Sequence, residues 1–156
     1  MKIHQAHDTL SRLGQPPGKH QHTFPTPLDR LPVFVAALLA GTPPIASGVI
    51  TLRTVVFDPR HLIALLQSHN LVPELTAGTS ITGSGPEELH SLLIAAFSDC
   101  LDFYFVPRPH RFLLYVDHDE FTTVFAPRKG PVSRIATAMS LAGLTGLVNS
   151  TSKRNS

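Results

Sequence analysis

The stretch YVDHDEF, residues 115 to 121, places Asp117, His118, Asp119 and Glu120 in one run between apolar neighbours. Three carboxylates and an imidazole so close together suit three kinds of work. They can hold a hard cation through carboxylate oxygens, with His118 adding a nitrogen ligand. They can move protons, provided that a pocket positions them and shifts their proton affinity. Or they can present negative charge to a basic partner, because carboxylates held side by side repel each other until a cation relieves them.

Spacing narrows the choice. An EF-hand loop counted from Asp117 needs glycine at its sixth place and glutamate at its twelfth, and those places hold Thr122 and Arg128. The letters His118 and Asp119 are those of the His-Asp phosphohydrolases, but that dyad sits on helices and this one lies between strand-like segments, so the resemblance is set aside. The run therefore reads first as a polar turn, which aspartate favours by bonding the backbone two residues on.

Other reactive groups have plainer readings. Cys100 is the single cysteine and continues the stripe Leu89, Leu92, Leu93, Ala96, Phe97, so it is expected to be a small buried hydrophobe. GTSITGSG, residues 78 to 85, looks like a phosphate loop but lacks its lysine. Glu87 and Glu88 would also compete with an anion for the helix that follows, so a loop is expected there. His4 with His7, and His20 with His22, have metal-compatible spacing but no regular element to fix them. Arg128, Lys129 and Arg134 surround the start of the last helical pattern and suit solubility or an acidic partner.

The elements that must position these groups follow from hydrophobic period. Leu31 to Ala40 reads as a short helix stopped by GTPP, and GVITLRTVVF, residues 48 to 57, as a strand rich in β-branched residues. Asp58 and Pro59 supply a helix start, with Leu62, Leu65, Leu66 and His69 on one side. Ser84 and Glu87 begin the helix that carries the Leu89 to Cys100 stripe, and Val132, Ile135, Ala136, Met139 and Gly143 mark a last helix.

LDFYFV, RFLLYV and FTTVFA, joined by PRPH and DHDE, read as a three-stranded meander with two four-residue loops. That register aligns Phe105, Phe112 and Phe125, then Phe103, Leu114 and Thr123, then Leu101, Val116 and Phe121 on the core face. The opposite face takes Tyr104, Leu113 and Val124, flanked by Val106, Arg111, Ala126, Asp102, Tyr115 and Thr122. The expected architecture is α+β: a small antiparallel four-stranded sheet, strand 48–57 plus the meander over 101–126, with helices mainly on one face. Residues 1–30 are expected to be loosely attached, 31–145 to form one domain, and 146–156 to be a polar tail.

Charge bears on the partner. Residues 1–44 carry four basic and two acidic groups, 45–127 four basic and nine acidic, and 128–156 five basic and none acidic. The expected folded body is thus acidic and would repel a phosphate backbone, which argues against nucleic acid. The longest apolar run, Val33 to Ala40, is far short of the roughly 20 residues of a membrane span. One cysteine gives no support to an oxidising compartment, so a cytoplasmic setting is expected. No cofactor and no metal is expected.

These observations point to a small binding or regulatory protein that contacts a protein partner or a second copy of itself. Its candidate residues are Asp117, His118, Asp119 and Glu120 at the turn and Tyr104, Arg111, Leu113 and Tyr115 on the mixed sheet face. The alternative is a small hydrolase or metal-dependent enzyme that uses the Asp117 to Glu120 loop.

Overall fold

A computed structural model describes residues 1–4, 19–41, 44–71 and 74–144. The expectations for His7 and for the tail 146–156 lie outside the described residues. The chain order is β1 (Lys2–His4), β2 (His20–Pro25), a 3-10 turn (Leu28–Arg30), α1 (Leu31–Ala40), β3 (Ser47–Thr54), α2 (Arg60–Ser68), β4 (Ser80–Ser84), α3 (Gly85–Ser98), β5 (Asp102–Arg108), β6 (Leu113–Val116), β7 (Phe121–Ala126) and α4 (Lys129–Leu141). The class is α+β, but the sheet has seven strands, not four. Its order is β1-β4-β3-β5-β6-β7-β2, and every neighbouring pair is antiparallel.

Three strands come from segments expected to be loops or loose chain. β1 and β2 belong to the first 30 residues and close the two edges of the sheet. Edge strands have one partner and half-wet faces, so His20, Gln21 and Pro25 stay exposed and the alternation that marks a strand is faint. β4 is the supposed glycine-rich loop. Its inward positions are Ile81, fully buried, and Gly83, where a Cβ would already lie 3.4 Å from both Leu89 and Leu92 of α3. A residue chosen for close helix approach cannot also signal a strand.

Gly48 of β3 is a sharper case, since a Cβ there would come within 2.4 Å of the Phe105 ring. The core lies between this face of the sheet and the helices. Phe24 of β2, Phe34 of α1, Phe97 of α3 and Phe103 of β5 form a chain of rings packed edge to face, with centroids 5.7, 5.3 and 5.4 Å apart. Such pairs add to the transfer free energy of the buried rings. The apolar segment Leu31 to Ala40 packs in the helix layer, where Leu31, Phe34, Val35, Ala37 and Leu38 are buried.

The meander register also differs from the expected one. Observed partners are Phe103 with Val116, Tyr104 with Tyr115 and Phe105 with Leu114, and then Leu114 with Val124, Tyr115 with Thr123 and Val116 with Thr122. Between β5 and β6 the shift is two residues, which preserves the faces. Between β6 and β7 it is one residue, which exchanges them. Thr122, Val124 and Ala126 therefore face the core, and Phe121 is 45 % exposed.

The cause is the turn. Asp117 and Phe121 are directly opposed, with the Asp117 N–H donating to the Phe121 carbonyl at 3.1 Å, so the loop has three residues and not four. Glu120 takes the left-handed conformation, φ +67°, that such a three-residue hairpin requires. A glycine there would have announced the shorter loop, and glutamate hid it.

Candidate functional site

The four residues of the turn do separate jobs. Asp117 closes it, accepting the Phe121 N–H at Oδ1 over 3.1 Å. His118 leans back onto β5, donating its backbone N–H to Asp102 Oδ1 at 2.6 Å and placing Nδ1 2.8 Å from the same oxygen. Asp119 is 77 % exposed, with Oδ1 3.7 Å from His118 Nε2. Glu120 lines a shallow hollow of about 10 Å³ together with Thr26, Leu28, Phe97, Cys100 and His118. No group of three or more metal-ligating side chains is assembled among the described residues.

Asp102 is the residue that sequence reasoning placed on the rim without seeing its role. Its side chain is only 10 % exposed, and both bonds that it accepts come from His118. The hydrogen bond from the ring holds the His118 imidazole above its ordinary proton affinity; partial desolvation opposes this, and the charges of Asp102, Asp119 and Asp117 add to it. A group whose folded pKa is raised contributes stability that is complete below its unfolded value and is lost as pH rises through the folded one.

The expected result is therefore a stability difference between the wild type and His118→Gln that is present at pH 6 and fades towards pH 8, read from denaturant midpoints. A difference that grows with pH would contradict the pairing. The backbone bond to Asp102 is common to both proteins and cancels in that comparison.

Cys100 lies just beyond the end of α3 with φ +50° and is half-buried. Burial, and then the charges of Glu120 and Asp99, push its thiol upward, away from the thiolate that a nucleophile needs. A catalytic cysteine beside His118 is thus disfavoured by its own surroundings.

A second aspartate on the same bend, Asp99, caps α2 from outside. Its Oδ1 accepts the His61 N–H at 3.1 Å and lies 2.6 Å from His61 Nδ1, while Oδ2 accepts the Leu62 N–H at 2.8 Å. The start of α2 was expected to be capped by Asp58, but no side chain of the N-cap residue does so. The only sequence signal was an Asp immediately after an apolar helix, which fixes no partner.

On the sheet face turned away from the helices, one row runs through Ser80, Thr51, Tyr104, Tyr115, Thr123 and Thr23 on six neighbouring strands. Each member carries a hydroxyl. Thr51 and Ser80 are 2.9 Å apart at their oxygens, and Thr23 and Thr123 2.8 Å. The rings of Tyr104 and Tyr115 sit 5.0 Å apart in the middle, and Arg53 reaches the Tyr104 hydroxyl at 3.5 Å.

Burial raises the Tyr115 hydroxyl, with Asp102, Tyr104 and Asp117 adding to this and Arg53 opposing it. That set of influences ties the tyrosines, Arg53 and the base of the turn into one corner. The structure thus brings together Tyr104, Tyr115, Asp117 and His118 and adds Arg53 and Asp102. Leu113 lies one row higher, opposite Phe125, and Arg111 is in the exposed loop before β6, off the face. Val124, Thr122 and Ala126, expected beside the tyrosines, belong to the core.

The chain matches no protein-family model, no curated protein and no solved structure.

Proposed function

We propose that the chain is a binding protein that contacts a protein partner through the corner formed by Arg53, Tyr104, Tyr115 and the turn from Asp117 to Glu120. The observation that carries this reading is the tyrosine pair, flanked by an arginine and by carboxylates, on a sheet face that bears none of the described helices. Tyrosine and arginine are the side chains in which contact energy concentrates, and a charged rim around them gives register and speed of encounter. Asp117 and Asp119 suit lysine or arginine on the partner. The hollow under the turn encloses about 10 Å³, room for a water molecule and far below the roughly 300 Å³ at which small-molecule sites begin. No helix of the described residues is long and apolar enough to cross a membrane. A cytoplasmic setting is part of the same proposal, supported by the single, free Cys100.

The test is a comparison of wild type with Tyr104→Ala/Tyr115→Ala as bait in native extract. Both rings are half-exposed, so the variant should remain folded, and a specific protein captured by the wild type should be lost. Equal capture by both baits would refute the assignment. A hydrolytic reading has one observation in its favour, the orientation of His118 by Asp102. Ester hydrolysis that falls more than tenfold in His118→Gln would transfer the assignment to it.

A further inference from the structure

The segment LPVFVAALLA of α1 has no polar side chain, so this helix has no hydrophilic side to turn to water. A helix that is apolar all round belongs in an interior. α1 lies between α3 and α4 in the helix layer, with α2 beyond α3, and its inward side is buried on the core. Its outward side is not: Pro32, Val33, Ala36 and Ala40 are exposed. Apolar surface continues on both flanks, through the half-buried Ile94 of α3 and through Leu141 of α4, which is 85 % exposed. We propose that this face of the helix layer is the interface of a homodimer, in which the two α1 helices lie side by side along a two-fold axis.

The rim identifies the occupant. Ser84 and Arg108 both pair with Ser47 at one end of the sheet, and β7 finishes at that same end with Ala126. α3 and α4 therefore start at one level and run in one direction, and α1 runs against them. Glu87 stands in the first turn of α3 and is exposed. Across α1, the Arg134 guanidinium folds back over the first turn of α4, so close that a Cβ on Gly130 would lie 3.3 Å from its Nη1. Among the described residues neither Glu87 nor Arg134 has an ion-pair partner.

A two-fold axis parallel to α1 keeps the level and exchanges the flanks, so it sets Glu87 of each copy against Arg134 of the other. The face is its own complement, as a contact between identical surfaces must be. An anionic lipid surface, by contrast, would be repelled by Glu87. With 14 and 13 residues, α3 and α4 are about 20 Å long, and three helices side by side are about 30 Å wide. The contact is then about 600 Å² from each copy, at the low end of specific interfaces, which makes the dimer a reversible one. It leaves the tyrosine corner open, because that corner is on the other face of the sheet.

The test is sedimentation equilibrium of the full chain between about 5 and about 500 μM, a range that spans weak association. The wild type should pass from monomer to dimer. Ala36→Glu places two carboxylates at the axis and should weaken the dimer at least about tenfold. At the lowest concentration, where both are monomers, it should melt within about 3 °C of the wild type, since the site is exposed. Glu87→Lys and Arg134→Glu should each be monomeric alone, and their equimolar mixture, which restores both contacts of opposite charge, should dimerise within about threefold of the wild type. Tyr104→Ala/Tyr115→Ala should associate as the wild type does. A wild type that stays monomeric throughout overturns the proposal, and so does a dimer that survives Ala36→Glu or is lost with the tyrosines. A mixture that stays monomeric overturns it as well.

Discussion

Phe97→Ala should lower stability by about 4 kcal/mol, a large share of the 5 to 15 kcal/mol that holds an ordinary domain together. Phe97 is 1 % exposed and is the link in the ring chain through which the helix layer meets the sheet, touching Phe34 on one side and Phe103 on the other. Both contacts are edge to face, so no single neighbour can move into the gap without breaking a second pair. The hollow beneath the turn is lined by Phe97 as well, and truncation would extend it inward. Chemical denaturation measures the loss, and Phe97→Leu, which keeps most of the volume, should cost roughly 1 to 1.5 kcal/mol. A cost below about 1 kcal/mol for the alanine variant would show that the ring chain does not join the two layers.

Asp99→Ala should cost about 2 to 3 kcal/mol, because one substitution leaves the first N–H groups of α2 without an acceptor. The control is His61→Ala. The ring of His61 is 57 % exposed and its bond to Asp99 is the dispensable one, so its removal should change stability by less than about 0.5 kcal/mol. Hydrogen exchange locates the effect: amides of Arg60 to Ser68 should lose protection in Asp99→Ala and keep it in His61→Ala. Equal losses in both would mean that the side-chain pair, not the backbone cap, is what Asp99 provides.

What could be read from the sequence was whatever apolar period controls. The α3 stripe from Leu89 to Phe97 is buried as its spacing demands, β3 takes Ser47–Thr54 of the expected 48–57 region, and the four described helices lie near their patterns. The strands that escaped notice are those whose inward positions are few or are spent on something else: Gly83 on helix approach in β4, and two faintly alternating edges in β1 and β2. The register error has a single origin. Glu120 in a left-handed conformation is invisible to residue preference, and the one-residue slip that it produces moved Thr122, Val124 and Ala126 from one face to the other. Asp99 and Asp102 could not be recognised because each serves a segment distant in the chain, the start of α2 and the turn at His118. A polar residue beside an apolar helix says nothing of who will donate to it.

The sheet order has a consequence in time as well as in space. Thr23 pairs with Thr123, 100 residues later, and Lys2 with Thr82, 80 residues later (82 − 2). During synthesis β1 and β2 are therefore made well before the strands they pair with and are left waiting. β1 has no ladder to join until β4 has emerged, and β2 none until the ribosome has passed Ala126. Closing such distant pairs defers their loop entropy to the end of folding, and until then β4 and β7 are bare edges open to other chains. The nascent chain thus completes its interior before its borders, and its window of vulnerability to association ends only when β1 and β2 dock.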